Sequence, residues 1–182
     1  MKNVYVFLAD GFEEIEALAT VDVLRRAGVQ VTTVSINPTE VVTGAHGVPV
    51  VADVLFDDAA LADADLLVLP GGMPGAANLD AHEGVCAALK AQAESGKCLA
   101  AICAAPMVLG HLGLLNGKNA TCYPGFEGEL DGSTYTAAPV EKDGNIITGR
   151  GPAAVLPFAY ALAEALVGKE LVCQVKSGML YE

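Results

Sequence analysis

A cysteine at the end of a short apolar run is the residue of this 182-residue chain best placed to act as a nucleophile. The run Leu99–Ile102 is typical of a strand buried on both faces, and a helix is predicted over residues 104–112. Cys103 therefore falls in the sharp turn of a nucleophile elbow, normally G-x-S-x-G, with alanines here in the glycine positions. The N–H groups that open the helix should favour thiolate over thiol. An inert buried cysteine is the alternative interpretation.

Backbone donors for a developing negative charge are expected beside this elbow. Gly71 and Gly72 follow a second apolar strand, predicted over residues 65–69. Because the carboxyl ends of parallel strands meet at one edge of a sheet, their N–H groups and that of Ala104 can form an oxyanion hole near Cys103. An ordinary tight turn explains a Gly-Gly pair equally well.

Three acids open the first predicted helix, over residues 13–27. Glu13, Glu14 and Glu16 complement the positive end of the helix dipole whatever the function of the protein. Glu16 gains a catalytic role only if it lies within hydrogen-bonding reach of the sulfur of Cys103. There it would stay partly protonated and would move protons.

None of the three histidines forms an evident Cys–His dyad, which weakens a peptidase interpretation. His82 and His111 are expected on solvated helix faces, and His46, in a loop, is the only histidine expected to approach the site. The remaining cysteines are predicted to be structural: Cys86, Cys98, Cys122 and Cys173.

Strands and helices alternate along the chain, which predicts an α/β domain over residues 1–182 with a mostly parallel sheet between two helical layers. Strands are predicted at 4–9, 30–35, 65–69, 98–101 and 120–122, with a hairpin over 140–148 and an excursion of two short β runs at 40–42 and 48–51. Helices are predicted at 13–27, 80–95, 104–112 and 151–167, and a short apolar tail follows.

Composition narrows the possible partners and location. The net charge of −12 argues against nucleic acid and against an anionic membrane, and no apolar run is long enough to span a bilayer. Five cysteines without a C-x-x-C pair favour a reducing cytoplasm over a disulfide framework or a zinc site. We therefore expect a cytoplasmic protein without a bound metal.

Five motifs, in order and covering nearly the whole chain, resemble the ThiJ/PfpI superfamily, and most closely its branch of the Parkinsonism-associated protein deglycase. The motifs are Asp10–Glu16, Leu24–Gly28, Leu69–Gly72, Ala100–Pro106 and Thr148–Pro152. The resemblance implies a flavodoxin-like three-layer α/β/α sandwich of the class I glutamine amidotransferase-like type. It also implies a homodimer, a strained elbow cysteine and no cofactor.

Carried over motif by motif, the resemblance makes Cys103 the nucleophile and oxidation-sensing cysteine, and Glu16 its protonated hydrogen-bond partner. The glycine pair and the residue after the cysteine become the oxyanion donors. Asp22 and Arg26 match a polar pair near the dimer seam, and Arg150, in the last motif, matches a pocket residue.

Two positions depart from the family pattern. Members with robust glyoxalase activity carry a Thr-x-His-Pro stretch near the cysteine, whereas this chain has Tyr123 in the place of the histidine. A phenol titrates too high to act as a base near neutral pH, although it still donates a hydrogen bond. A family arginine is replaced by His46, which we expect to restore part of the acid–base capacity.

These patterns favour a cofactor-independent glyoxalase or deglycase that acts on a small dicarbonyl, such as methylglyoxal, or on a glycated adduct. An oxidative-stress sensor or chaperone, signalling through oxidation of Cys103, is the main alternative. An intracellular cysteine peptidase and a thiazole-biosynthesis protein, the older labels of the superfamily, rank last.

Overall fold

A seven-stranded sheet forms the centre of the protein, seen in a computed structural model that describes residues 1–181. The strands of the molecule are β1 (Asn3–Leu8), β2 (Gln30–Ser35), β3 (Val41–Thr43), β4 (Pro49–Val51), β5 (Val54–Leu55), β6 (Leu66–Leu69), β7 (Cys98–Ile102), β8 (Asn119–Ala120), β9 (Thr134–Tyr135), β10 (Val140–Asp143) and β11 (Ile146–Gly149). The central sheet has the order β10-β11-β7-β6-β1-β2-β5, and only the β10–β11 pair is antiparallel. The predicted mostly parallel sheet is confirmed.

Helices cover both faces of this sheet. They are α1 (Glu14–Arg26), α2 (Gly75–Ala81), α3 (Glu83–Glu94), α4 (Pro106–His111), α5 (Val155–Val167) and α6 (Lys169–Gly178). Alternate residues of β1 enter opposite cores: Val4 and Val6 pack with α1 and α5, whereas Tyr5 and Phe7 pack with α2, α3 and α4. The three-layer sandwich is confirmed. None of the helices in residues 1–181 combines the length and the apolar character needed to cross a membrane.

The helix predicted over residues 80–95 is wrong at its start, because two helices meet at His82. That residue has extended backbone, with φ −86° and ψ 104°, and its ring accepts a hydrogen bond from the N–H of Val85 at 3.1 Å. It therefore caps α3, and its ring packs against Phe56 with the centroids 4.7 Å apart. The expectation that His82 lies on a solvated helix face is also wrong.

The segment predicted as an apolar tail forms α6, an amphipathic helix. Val172 and Val175 are buried on its inner face and belong to the same core as α5. The intervening Cys173 is exposed, which corrects the prediction that it is a structural cysteine in apolar surroundings. The period of 3.6 residues in this segment indicated the helix, but its polar residues obscured the pattern.

The excursion of two short β runs is confirmed as an antiparallel hairpin, β3–β4, that lies outside the central sheet. The hairpin predicted over residues 140–148 is also confirmed, with Gly144 at φ 62° in its two-residue turn. The strand predicted over 120–122 shortens to β8, which pairs only with β9. The helix predicted from residue 151 begins as a 3₁₀ turn, Pro152–Ala154, before α5.

Candidate active site

Cys103 sits in a tight turn directly after β7, three residues before α4 begins. Its φ of 65° is a left-handed conformation that costs a non-glycine residue about 1 kcal/mol or more. Two backbone hydrogen bonds hold the turn: the N–H of Cys103 donates to Gly149 at 2.9 Å, and its carbonyl accepts from Tyr123 at 2.8 Å. This geometry is that of a nucleophile elbow.

The loop after β6 approaches the elbow so closely that only glycine fits there. A Cβ on Gly71 would lie 2.5 Å from Cβ of Cys103 and 2.6 Å from Oε2 of Glu16. Gly72 has φ 87°, and a Cβ there would lie 2.4 Å from the backbone nitrogen of Glu13. The glycine pair therefore does more than turn the chain, because it lets the cysteine and the glutamate come together.

Glu16 is the most deeply buried charged residue near the elbow, with 1% of its surface exposed. Its Oε2 accepts the N–H of Gly71 at 2.8 Å, and its carboxyl interacts with the neighbouring Cys103 thiol, which lowers the pKa of Glu16. The other oxygen, Oε1, is buried and accepts no N–H or O–H donor of the described residues. Burial, reinforced by the negative charge of Glu13, raises the pKa of Glu16 to about 7 against the opposing hydrogen bonds.

The pKa of the Cys103 thiol is raised to about 12, opposite to the direction predicted from its place at a helix start. Burial is the main cause, and the charge and hydrogen bonding of Glu16 add to it. The N–H groups of Gly72 and Ala104 do lower the pKa as expected, but they are outweighed. The pair therefore holds at most one negative charge near neutral pH and titrates as a unit.

The predicted oxyanion donors divide into two roles in this geometry. The N–H of Gly71 is used by Glu16, so it orients the carboxyl. The N–H groups of Gly72 and Ala104 lower the pKa of the Cys103 thiol, so they lie near the sulfur. Two of the three predicted donors therefore act on the reactive atom, and the third positions its neighbour.

His46 lies beside the first turn of α1. Its Nδ1 is 2.8 Å from Oε2 of Glu14 and 3.6 Å from Oε2 of Glu13. The hydrogen bond to Glu14 and the charge of Glu13 raise the pKa of His46. Burial by itself would raise the pKa of Glu14, but the hydrogen bonds from His46 and its loop bring it down to about 2. His46 is thus tied to the first turn of α1 through the carboxylate of Glu14.

The predicted polar pair Asp22–Arg26 lies farther along the same helix. Arg26 Nε donates to Asp22 at 2.8 Å, and both side chains are about half exposed. At a rise of about 1.5 Å per residue, these two residues lie roughly 9 and 15 Å beyond Glu16 along the axis of α1. The pair therefore does not contribute directly to the chemistry around the sulfur.

Tyr123 and Arg150 border a groove of about 510 Å³ next to the elbow. The ring of Tyr123 is 47% exposed and lies over Gly151, where an added Cβ would be 3.1 Å from the ring. The rest of the lining is almost entirely apolar: Pro124, Pro139, Gly151, Pro152, Ala153, Ala154 and Pro157. Sequence reasoning missed the contribution of Pro139 and Pro157, which gave no signal beyond being prolines.

Glu13 is the site residue whose importance the sequence concealed. It is nine-tenths buried, its N–H donates to the carbonyl of Gly71 at 2.8 Å, and its charge acts on Glu16. The acids that open α1 were recognised as a group, but helix-dipole complementarity explained them sufficiently. The only sign in the sequence of a further role for Glu13 was the number of acids, because three are more than are needed to complement the dipole of α1.

A cysteine at a left-handed elbow, faced by a buried carboxyl and two backbone donors at the carboxyl edge of a parallel sheet, defines a cysteine-nucleophile site of the flavodoxin-like class. Residues 2–165 match the DJ-1/PfpI family, so the chain belongs to this family. The resemblance inferred from the five motifs is therefore confirmed.

Similar proteins agree over nearly the whole chain. It is 40% identical over 181 residues to the Drosophila melanogaster protein dj-1beta, covering 98% of this chain and 97% of the relative. It is 35% identical over 160 residues to the Caenorhabditis elegans glutathione-independent glyoxalase DJR-1.2, and the match covers 87% of this chain and 84% of the relative. The solved structure of oxidized Toxoplasma gondii DJ-1 superposes with a TM-score of 0.95 at 37% identity, and the match covers 100% of this chain and 99% of that structure.

Not every relative has the same length as this chain. The chain spans 41% and 46% of the two Arabidopsis thaliana relatives, the DJ-1 homologs B and A, to which it is 40% and 42% identical. In each case 98% of this chain is matched. The alignment with this chain therefore spans less than half of each of those two relatives.

Proposed function

We propose that this protein is a cysteine-dependent, cofactor-independent glyoxalase or deglycase that acts on methylglyoxal or on glycated adducts. The observation that carries the proposal is the pairing of the elbow cysteine with a fully buried carboxyl whose pKa is raised to about 7. A group that titrates at this pH both accepts and donates protons efficiently. Membership of a family that includes a relative named as a glutathione-independent glyoxalase supports the same activity.

The first step adds the thiol to the aldehyde carbon of methylglyoxal. The sulfur of Cys103 forms the new C–S bond while Glu16, as carboxylate, takes the thiol proton. The carbonyl oxygen becomes negative as its π bond breaks, and the N–H groups of Gly72 and Ala104 stabilise that charge. Return of the proton to this oxygen completes a hemithioacetal.

The second step moves a proton between adjacent carbons. Glu16 removes the proton from the carbon bonded to sulfur and returns it to the ketone oxygen, giving an enediol. It then takes the proton of the hydroxyl on the sulfur-bearing carbon and delivers it to the neighbouring carbon. The result is a thioester of lactate on Cys103, in which the former aldehyde carbon is oxidised and the former ketone carbon is reduced. Hydrolysis with one water releases lactate and the free thiol.

In this mechanism the hydroxyl of Tyr123 acts as a hydrogen-bond donor to the substrate. Tyr123 lines the groove and is 47% exposed. Arg150 lines the same groove and offers a cationic group to an anionic substrate or product. The absence of the family histidine at position 123 therefore leaves Glu16 as the group that moves protons.

Glutathione-free formation of lactate from methylglyoxal tests this proposal. We expect turnover in the wild type and a loss of at least about 100-fold in Cys103→Ala and in Glu16→Gln, since general acid–base catalysis contributes on this scale. Cys173→Ala is the matched control, because that cysteine is exposed on α6 and should leave the rate unchanged. Wild-type protein that is folded but produces no lactate would overturn the proposal.

The second candidate function, oxidation sensing through Cys103, is favoured by the two N–H donors at the sulfur. They would equally well hold the oxygens of a sulfinic acid, and the similar Toxoplasma gondii structure is of an oxidized protein. Mass spectrometry after graded peroxide exposure distinguishes the two. A sensor oxidises at Cys103 before the exposed Cys173 and shows no dicarbonyl turnover.

We also propose that the protein is a cytoplasmic homodimer. Large apolar side chains are exposed on α1 and on the adjoining β3–β4 hairpin: Ile15, Leu18, Val48 and Val51. The backbone of residues 46 and 48 is hydrogen-bonded to Glu14, which joins the two elements, and we propose that these side chains form one surface. A second copy of the chain would bury it. All five cysteines are free thiols, which suits a reducing compartment.

A further inference from the structure

Two carboxylates and an imidazole converge where the β3–β4 hairpin meets the start of α1. One ligand atom from each of Glu13, Glu14 and His46 lies within 4.8 Å of the others. The chemistry proposed for Cys103 and Glu16 does not use this cluster. His46 comes from a segment 32 residues away from Glu14, so no local spacing in the sequence reveals the grouping.

The carboxylate of Glu13 faces the cluster without a hydrogen bond from the described residues. The residue is nine-tenths buried, it makes no capping hydrogen bond to α1, and His46 Nδ1 is 3.6 Å from its Oε2. Two carboxylates facing one imidazole leave negative charge unbalanced. A cation placed among these three groups would balance it.

The second carboxylate is held in a fixed orientation. Oε1 of Glu14 accepts the N–H of His46 at 2.7 Å, which leaves Oε2 directed at the ring. Gly44 makes room for this arrangement, since a Cβ there would lie 2.3 Å from Oε1. The loop is fixed to α1 by the N–H of Ala45, which donates to Phe12 at 2.8 Å. Hydrogen bonds that orient a ligand in this way are typical of metal sites.

We propose that Glu13, Glu14 and His46 form a binding site for a divalent transition-metal ion such as Zn²⁺. The ligands are Nδ1 of His46 and one oxygen of each carboxylate, with the remaining coordination open to water. Ligand atoms around a tetrahedral Zn²⁺ lie roughly 3.3 Å apart. The separations of 2.8 and 3.6 Å from Nδ1 bracket this value. The expectation from the sequence, no bound metal, is thus replaced by a site assembled by the tertiary fold.

Imidazole and carboxylate ligands without sulfur select borderline ions over soft ones. The open positions resemble the three-ligand arrangement of reactive zinc sites rather than the closed set of structural ones. The ring of His46 is 69% exposed in the single chain, while the carboxylates are about 90% buried. The metal site goes beyond the proposed glyoxalase function, and either proposal can be refuted without affecting the other.

Calorimetric titration with Zn²⁺ tests the site in a Cys103→Ala parent, which removes the elbow thiol as a competing ligand. We expect one ion per chain in the parent, and binding at least about 10-fold weaker in His46→Ala and in Glu13→Gln, both made in that parent. His111→Ala is the matched control. Its ring also contacts two carboxylates, Asp80 at 3.0 Å and Glu129 at 2.8 Å, but through opposite nitrogens, so they cannot share one ion.

Absorption with Co²⁺ as the probe separates this site from the remaining cysteines. We expect d–d bands without an intense thiolate-to-cobalt band in the parent, and their loss in His46→Ala. Thermal melting establishes that each variant is folded. If His46→Ala does not fold, Glu13→Gln, which keeps the shape of the side chain, takes its place as the test variant. The proposal is wrong if the parent binds no ion, or if the His46 and Glu13 variants bind as the parent does.

Discussion

At the scale of single residues, the burial of Glu16 dominates the behaviour of the site. A carboxyl with 1% exposure gives up most of its hydration, and the two hydrogen bonds it receives do not compensate. The same burial keeps the thiol of Cys103 protonated, so the nucleophile must be generated by proton transfer within the pair. Reactivity then depends on the protonation state of Glu16 rather than on the helix dipole.

The stability of the protein should therefore depend on pH through Glu16. Folding raises its pKa from 4.5 to about 7, so its stabilising contribution is fully present below about pH 4.5 and is lost as the pH rises through 7. Between pH 5 and 8 the free energy of unfolding should fall by about 2–3 kcal/mol more in the wild type than in Glu16→Gln. Urea unfolding at both pH values measures this difference.

An exposed acid provides the control for that measurement. Glu94→Gln, at the exposed end of α3, should follow the wild type at both pH values. Equal pH dependence in the wild type and in Glu16→Gln would show that burial does not hold the proton on Glu16.

At the scale of elements, α6 extends the helical layer formed by α1 and α5. The helix has a mixed sequence, but two valines one turn apart provide an apolar side that α5 covers. The stability of α6 therefore comes from packing rather than from helix propensity, as is usual for helices of this length.

Truncation of Val172 tests how much this packing contributes. The residue is 2% exposed, so Val172→Ala should lower the free energy of unfolding by about 2 kcal/mol through lost burial and an unfilled cavity. Its neighbour Cys173 is exposed, and Cys173→Ala should change stability by less than about 0.5 kcal/mol. Chemical denaturation of both variants gives the comparison, and equal effects would mean that α6 is not docked in solution.

At the scale of the whole molecule, the apolar surface on α1 and the β3–β4 hairpin governs association. Val51, at 67%, is the most exposed of the large apolar side chains on these two elements. We expect Val51→Lys to convert a dimer into a monomer, because a lysine at an apolar seam would be desolvated without a partner. Sedimentation velocity measures the change, and Ala91→Lys, exposed on α3 across the sheet, should leave the assembly unchanged. A wild type that sediments as a monomer would refute the dimer.

The sequence predicted the central architecture because its signals are local. Continuous apolar runs mark strands buried on both faces, and the alternation of strand and helix permits few arrangements besides a mostly parallel sheet. The elbow at Cys103 could also be predicted from the sequence, since small residues around a cysteine between a strand and a helix are a short-range pattern. The prediction for His82 is wrong because its extended backbone interrupts a segment whose pattern indicates one continuous helix, and its ring packs against Phe56.

The tertiary structure alone decided which distant groups lie close together and how each shifts the pKa of the other. Nothing local to Glu16 indicates its burial against Cys103, which raises both pKa values and reverses the direction predicted for the thiol. Likewise, only the fold brings His46 to Glu13 and Glu14. Local sequence determines secondary structure through short-range sterics and periodicity, whereas burial and electrostatic coupling depend on which segments the fold brings together.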